Sequence, residues 1–137
     1  MTEETTQLSL PSRVESIAEA AEAAAEVAAR MGLGEEAAFG LDMAVRESVT
    51  NAVLHGNGQD ESKPVEITFA EAGGELVVTV RDRGEGFDPE AVADPTAAEN
   101  LLKTSGRGIL FMRNFMDTVE WLRHPEGGTV VRMTKKI

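Results

Sequence analysis

Cysteine is absent from this chain of 137 residues. A disulfide framework and a thiolate metal site are therefore both excluded, and the absence fits a reducing compartment. Histidine is scarce as well, because only His55 and His124 could supply an imidazole ligand. These absences exclude small disulfide-stapled proteins and cysteine-based zinc folds.

Long apolar runs are also missing. No segment approaches the roughly 20 apolar residues that cross a bilayer, and the opening MTEETTQLSLPSR has neither the basic start nor the apolar stretch of a secretory leader. We therefore expect a cytoplasmic protein without a membrane partner. Because 42% of the residues are hydrophobic, the chain can bury one core, and a single domain is expected over residues 1–137.

Positive charge is in short supply, since 13 Lys and Arg face 24 Asp and Glu, for a formal net charge of -11. A negative electrostatic field disfavours an extended nucleic-acid interface, because basic residues must neutralise the phosphates there. No nucleic-acid partner is therefore expected. An anionic small ligand would need local donors, such as backbone amides, a few arginines or a bound cation.

Apolar periodicity predicts two helices in the first half of the chain. The segment SIAEAAEAAAEVAARMG forms the first helix, which Gly32 ends, with its buried side at Val14, Ile17, Ala21, Ala24, Ala28 and Met31. The segment GEEAAFGLDMAVRESVTNAVLHG forms the second, with its buried side at Leu41, Val45, Val49, Ala52 and Val53.

Alternation of apolar and polar residues predicts strands in the second half. PVEITFA and ELVVTVRD form one hairpin around EAGG, and TVEWLRHPEGGTVVRMTKK forms another that turns at residues 125–128. GILFMRNFMD, between the hairpins, is expected to be a third helix. This order predicts an α+β fold, a two-layer α/β sandwich with the helices on one face of a mixed, mostly antiparallel sheet.

The second helix carries a polar line within RESVTNAVLHGNG. Glu47, Asn51 and His55 are spaced by four, so each lies about 40° round the helix from the last. An amide oxygen suits Mg²⁺, and a carboxylate can accept a proton from water or a hydroxyl. The small Ser48 and Thr50 beside the line would let a ligand approach. The alternative is a solvated helix face.

A second cluster, DRGEGFD, follows a predicted strand that ends near Asp82. Gly84 and Gly86 permit a close approach of the backbone, and Asp82 can accept a hydrogen bond from an exocyclic amine. An ordinary Gly/Asp turn is the alternative. The cluster lacks the third glycine of the dinucleotide fingerprint, and the chain contains no GxxxxGK[ST] phosphate loop.

A third cluster, KTSGRGILFM, precedes the predicted third helix. Free backbone N–H groups at a helix start bind phosphate, and Lys103 and Arg107 add positive charge that the chain otherwise lacks. A helix start capped by Thr104 or Ser105 is the alternative. Further on, EGGTVV is a predicted turn that leads into a strand at Thr129. Taken alone, this turn is explained by structure without any function.

Taken in order, ESVTNAVLHG, DRGEGFD, SGRGI and GGTVV resemble the N, G1, G2 and G3 boxes of the GHKL ATPase superfamily, over about residues 35–136. Within it, the short chain and the segment SGRGILFMRNFMD look most similar to the bacterial anti-sigma factors that are also serine kinases. Histidine kinases would add a helix pair with a phosphorylated histidine, which neither His55 nor His124 matches. The implied fold is the Bergerat-type ATP-binding fold.

The resemblance implies ATP and Mg²⁺ as cofactors and a role for each motif residue. Glu47 would be the general base that accepts the proton of a substrate serine, and Asn51 would hold the Mg²⁺ that bridges the phosphates. Asp82 would accept the adenine amine. Its pocket would be completed by Gly84, Gly86 and Thr129.

Residues 100–108 would form the ATP lid by the same resemblance. Donors to the phosphates would come from Thr104, Ser105, Gly106 and Gly108, and Arg107 would add a charge that takes part in catalysis. Positioning and charge stabilisation supply most of what phosphoryl transfer needs.

The implied partners are a sigma factor, which the protein binds, and a STAS-type anti-anti-sigma factor, which it phosphorylates on a serine. A homodimer through the sheet face is also implied, and Trp121 with Val119 on an edge strand would suit it, although a core tryptophan is the other explanation. Asn57 departs from the resemblance, because relatives often have an aromatic residue there. The alternative functions are a non-catalytic ATP-dependent binding module, which would not need Glu47, and an interaction protein without a nucleotide site.

Overall fold

The computed structural model describes residues 5–84 and 115–136. The elements in chain order are β1 (Thr5–Leu10), α1 (Glu15–Met31), α2 (Glu35–Asn51), a π-helical turn (Ala52–Gly56), β2 (Val65–Ala72), β3 (Glu75–Arg81), β4 (Thr118–Arg123) and β5 (Thr129–Lys136). The strands form one sheet in the order β1-β2-β3-β5-β4. The helices pack on this sheet, which confirms the predicted α+β class.

Every pairing among the described strands is antiparallel. The sequence predicted a mixed, mostly antiparallel sheet, and the parallel pairing of a mixed sheet does not occur among these strands. The two helices pack against each other and carry the chain out and back. The chain re-enters the sheet at the end where β1 finished, as the pairing of Leu10 with Val65 at the start of β2 shows. A connection of this kind places β1 and β2 antiparallel.

The first strand was missed by the sequence analysis, which began the fold with two helices. In β1, Thr6, Leu8 and Leu10 face the helices, and Leu10 is buried there. The signal was the alternation in TTQLSL, which is short and contains only two strongly apolar residues. Pairing with β2, which the sequence alone does not show, gives this segment its structure.

The predicted end of the first helix at Gly32 is confirmed. This residue has φ 67° and ψ 33°, a left-handed conformation that glycine adopts without strain, and it closes the last turn of α1. Ala21, Ala24 and Ala28 are buried as predicted, and Ile17 and Met31 are partly buried against the core, whereas Val14 precedes the helix and is 57% exposed. The buried Ser16, whose Oγ donates to the Pro11 carbonyl at 2.6 Å, fills the inward position at this end instead.

The second predicted helix changes geometry near its end. The α-helix stops at Asn51, and a π-helical turn follows, closed by a hydrogen bond of 2.8 Å from the Asn57 N–H to the Ala52 carbonyl. All the positions predicted for its buried side are buried, namely Leu41, Val45, Val49, Ala52 and Val53. A π-helical turn inside a helix is rare and is often found at functional sites.

Both predicted hairpins are confirmed. β2 and β3 meet at Gly73 and Gly74, whose φ angles of 59° and 80° suit a two-residue turn with left-handed backbone. β4 and β5 turn through residues 125–128. Most of the predicted third helix lies outside the described residues, and the described part resumes at Phe115, which packs edge-on against Phe39.

One face of the sheet forms the core with the two helices. It is built from Val65, Ile67, Phe69, Leu76, Val78, Val80, Val131 and Met133, all buried. Trp121 and Val119 on the edge strand β4 pack against this same core, which favours the core explanation for the tryptophan over a role on the free sheet face. None of the described helices is both long and apolar enough to span a membrane.

Candidate functional site

The last turns of α2 bury polar side chains. Asn51 is only 2% exposed, and neither its Oδ1 nor its Nδ2 has a hydrogen-bond partner among residues 5–84 and 115–136. The same holds for Oε1 of Glu47, one turn earlier. A buried amide without a partner costs free energy unless something else satisfies it. The alternative of a solvated helix face is therefore wrong at Asn51.

Burial changes the proton affinity of Glu47. Desolvation of its carboxyl raises the pKa from 4.5 to about 7, because the charged form loses contact with water. A carboxyl with this pKa is divided between its acid and base forms near neutral pH. General bases work best when their pKa lies near the working pH, and the raised pKa of Glu47 meets this condition near neutral pH.

His55 lies in the π-helical turn and is half-buried. Its expected alignment with Glu47 and Asn51 assumed a continuous α-helix, and the wider turn from Ala52 to Gly56 changes that spacing. Among the described residues, the pocket described below is lined by Asn51 and not by His55.

Asp82 follows the end of β3 and is held by the strand beside it. Its backbone N–H donates to the Thr129 carbonyl at 3.0 Å, and its Oδ1 accepts from the backbone N–H groups of Thr129 at 3.2 Å and Gly84 at 3.1 Å. Burial raises the pKa of Asp82, and these two hydrogen bonds oppose that rise. Both bonds go to Oδ1, whereas Oδ2 faces Gly56.

Three glycines allow the segments around Asp82 to touch. A Cβ on Gly84 would overlap the Gly56 carbonyl, a Cβ on Gly56 would overlap the Asp82 carboxylate, and a Cβ on Gly128 would overlap the Asp82 carbonyl. The sequence analysis predicted a close approach at Gly84, where the structure has one, and at Gly86, which lies outside the described residues. It missed Gly56 and Gly128 because a clash between distant segments leaves no pattern in the sequence.

These segments line a partly open pocket, whose empty volume of about 240 Å³ includes space open to solvent. It is lined by Ser48, Asn51, Ala52, Val80, Asp82, Trp121, Thr129 and Val131. The structure therefore brings together Asn51, Asp82 and Thr129, which the resemblance assigned to one site. Trp121 was not expected there, and it arrives because it lies opposite Val131 on the helix-facing side of β4.

Part of the predicted site falls outside the described residues. The predictions for Gly86 and for the lid residues Thr104, Ser105, Gly106, Arg107 and Gly108 lie there, and they stay predictions. The turn alternative for DRGEGFD is correct at its start, because the Gly84 N–H bonds to the Asp82 side chain. It does not exclude a site, since the same Asp82 lines the pocket.

The family model for the histidine kinase-like ATPase domain matches residues 10–135. The chain belongs to this family, in agreement with the pocket between a polar helix and the Asp82 strand end. The fold and the motif order are thus those of an ATP-binding domain of the histidine kinase type.

Several named relatives indicate which members of this family the chain resembles. The chain is 37% identical to the anti-sigma F factor of Oceanobacillus iheyensis over 95 residues, which cover 68% of the chain and 65% of that protein. It is 38% identical to an anti-sigma F factor of Clostridium perfringens over 96 residues, which cover 69% of each. It is 29% identical to the serine-protein kinase RsbW of Oceanobacillus iheyensis, over 96% of the chain and 85% of that protein.

A solved structure shares the fold. The crystal structure of the RsbU and RsbW domains of Rv1364c from Mycobacterium tuberculosis superposes with a TM-score of 0.71 at 20% identity. The match covers 97% of the present chain and 32% of the other. At this identity the likeness supports the fold alone.

Proposed function

We propose that the protein is an ATP-binding anti-sigma factor, which binds a sigma factor and phosphorylates a serine on a STAS-type anti-anti-sigma partner. The names of the relatives support this function, since they include anti-sigma F factors and a serine-protein kinase. It acts in the cytoplasm, as a single domain over residues 1–137 and as a homodimer. Trp121 and Val119 pack against the core, which favours a core role for both residues over a role in the proposed homodimer.

One observation carries the kinase assignment. Glu47 places a buried carboxyl, with a pKa of about 7, one helical turn before Asn51. In the reaction, the serine hydroxyl oxygen attacks the γ-phosphorus of ATP, the bond to the bridging oxygen breaks, and ADP leaves. The hydroxyl proton passes to the Glu47 carboxylate. A module that only binds nucleotide would have no use for a base at this position.

The residues present fit Mg²⁺ and ATP. The Oδ1 atom of Asn51 is a hard oxygen donor, is buried, and has no partner among the described residues. Asp82 lines the pocket and both of its backbone hydrogen bonds go to Oδ1, so its carboxylate keeps acceptor capacity for the adenine amine. Thr129 holds the Asp82 carboxylate through its backbone, and Gly84 with Gly86 shapes the pocket beneath the base. Mg²⁺ supplies charge neutralisation of the phosphates when bound.

The lid completes the proposed site. Thr104, Ser105, Gly106 and Gly108 donate to the phosphates, and Arg107 stabilises the charge that spreads over the transferred group.

Nucleotide binding is tested first with Asp82→Asn. We expect the wild type to bind ADP and ATP with Mg²⁺, and the variant to bind roughly 1 to 3 kcal/mol more weakly, the scale for a hydrogen bond left unpaired in a pocket. Calorimetry measures the affinity. Fluorescence provides a second reading, because Trp121 lines the pocket and is the one tryptophan in a chain without tyrosine.

The matched control for this test is Asp60→Asn. Asp60 is exposed, its carboxylate accepts hydrogen bonds from nearby Ser62, and its substitution should leave the affinity unchanged. If the wild type binds neither nucleotide at millimolar concentration, the proposed function is wrong. Binding of ATP and of the sigma factor without phosphoryl transfer would favour the non-catalytic binding module.

A further inference from the structure

Asn57 lies directly after the π-helical turn, is 4% exposed, and joins separate segments of the chain. Its Nδ2 donates to Ser12 Oγ at 2.8 Å, to the Lys63 carbonyl at 3.0 Å and to the Pro64 carbonyl at 3.2 Å. Its Oδ1 accepts from the backbone N–H of Arg83 at 2.6 Å. The side-chain amide therefore uses its donors on one side and its acceptor on the other.

The acceptor oxygen of Asn57 is linked to the pocket residue Asp82 through the backbone of Arg83. The Arg83 N–H belongs to the peptide group that follows Asp82, so the Asn57 Oδ1 fixes the orientation of that peptide. Thr129 and Gly84 hold the Asp82 carboxylate from the other side.

The side chain of Arg83 offers a weaker hold. It pairs with Glu66 at the surface, and exposed ion pairs contribute little. Asn57 is thus the buried anchor of this segment.

The donor side holds Asn57 itself in place. Ser12 Oγ also donates to the Lys63 carbonyl at 2.5 Å, so this carbonyl, the hydroxyl and the amide form a closed set of hydrogen bonds. Ser12 precedes α1 and Lys63 precedes β2, so the amide is bonded to two connecting segments, and neither Ser12 nor Lys63 lines the pocket. A buried polar group that is satisfied on every side has one orientation.

We propose that Asn57 is a positioning residue for base recognition. Through the Arg83 amide, it aims the Asp82 carboxylate and sets how strongly the pocket prefers a 6-amino purine to a 6-oxo purine. This inference rests on the proposed function, in which Asp82 accepts the adenine amine. Hydrogen bonds weaken steeply when their angle departs from linear, so a small rotation of Asp82 would lower the preference. Contacts to the ribose and phosphates would not change.

The test measures the affinities of Mg-ADP and Mg-IDP for the wild type and Asn57→Ala. These nucleotides differ at the base only, where the 6-amino group of ADP is replaced by a 6-oxo group in IDP. We expect the preference for ADP to fall about fivefold or more in Asn57→Ala, with the IDP affinity within about twofold of the wild type. A purely structural role would lower both affinities alike or lower only the melting temperature.

Ser16→Ala is the matched control. Ser16 is fully buried, its Oγ donates to the Pro11 carbonyl, and it does not line the pocket. Like Asn57→Ala, the Ser16→Ala variant loses a hydrogen bond from a buried side chain to the backbone. Its melting temperature should therefore fall, while the preference of the protein for ADP over IDP stays unchanged. A folded Asn57→Ala protein with the wild-type preference would overturn the inference.

A measurement on the wild type covers the case in which Asn57→Ala does not fold. Hydrogen exchange at the Arg83 amide should be slow in the free protein and should slow further with ADP, more than with IDP at equal occupancy. Fast exchange in the free protein, or equal slowing by both nucleotides, would contradict the inference. The proposed function fails separately, if the wild type binds no nucleotide or does not prefer ADP to IDP.

Discussion

At the scale of single residues, the site costs the protein stability. Glu47 and Asn51 bury polar atoms that have no partner among the described residues. Structural residues at such positions would be expected to find hydrogen bonds, because unsatisfied buried groups are rare in folded proteins. Their lack of partners is understandable if a ligand supplies them, and it makes both side chains testable by stability as well as by binding.

Glu47→Gln should stabilise the protein at pH 8 and have no such effect below about pH 4.5. The folded pKa of Glu47 is about 7 and the ordinary value is 4.5, so the folded state resists ionisation. The penalty of the buried carboxylate therefore grows as pH rises from 4.5 to 7 and stays constant above. The gain is on the order of 1 to 3 kcal/mol. Melting curves across pH measure it, with exposed Glu26→Gln as the control.

Asn51→Ala should abolish the Mg²⁺-dependent part of ATP binding and leave the fold intact. The amide makes no hydrogen bond to the described residues, so its removal breaks none of them. Calorimetry with and without Mg²⁺, together with circular dichroism and melting, separates the two effects. Thr50→Ala is the neighbouring control, since among the described residues the Thr50 Oγ1 donates to the Arg46 carbonyl within the same helix. A large loss of stability with normal ATP binding would make Asn51 a structural residue.

At the scale of elements, the site depends on the contact between the π-helical turn and the end of β3. Gly84 packs against the Gly56 carbonyl and Gly56 packs against the Asp82 carboxylate, so neither position has room for a side chain. The turn also ends the helix and presents Asn57 to the Arg83 amide. The local geometry after Asn51 therefore fixes where Asp82 lies relative to α2.

Gly84→Ala should weaken ADP binding at least tenfold and lower the melting temperature. An added Cβ overlaps the Gly56 carbonyl, which is backbone and cannot rotate away, so the segment after β3 must shift. Gly34→Ala is the control, because a Cβ there meets open space. Titration with ADP and thermal melting measure both effects. Wild-type affinity in Gly84→Ala would show that the contact does not shape the pocket.

The elements differ in how well the sequence predicted them. α1, the buried side of α2 and both hairpins were predicted, because apolar periodicity and glycine turns are local signals. The π-helical turn was not predicted, because its wider hydrogen bonds, such as the one from the Asn57 N–H to the Ala52 carbonyl, leave no pattern in the sequence. β1 was missed because its pattern is weak without the pairing to β2.

At the scale of the whole molecule, the pocket unites residues from distant parts of the chain. Asn51, Asp82 and Thr129 meet because α2 packs on the sheet and β3 pairs with β5. Their order in the sequence suggested a site only through the resemblance of four motifs. Trp121, Gly56, Gly128 and Asn57 were missed, because each acts through a neighbour in space that the sequence does not show.

One measurement tests the central claim, that Glu47 makes this ATP-binding domain a serine kinase. Purified wild type and Glu47→Gln, each loaded with Mg-ATP, are mixed in single turnover with candidate STAS-type anti-anti-sigma proteins, and phosphoserine is followed over time. We expect transfer by the wild type and a rate about 10² to 10⁴ lower in Glu47→Gln, with ATP and sigma-factor binding retained. Wild-type rates in Glu47→Gln, or no phosphoserine from a wild type that binds ATP and these partners, would contradict the account.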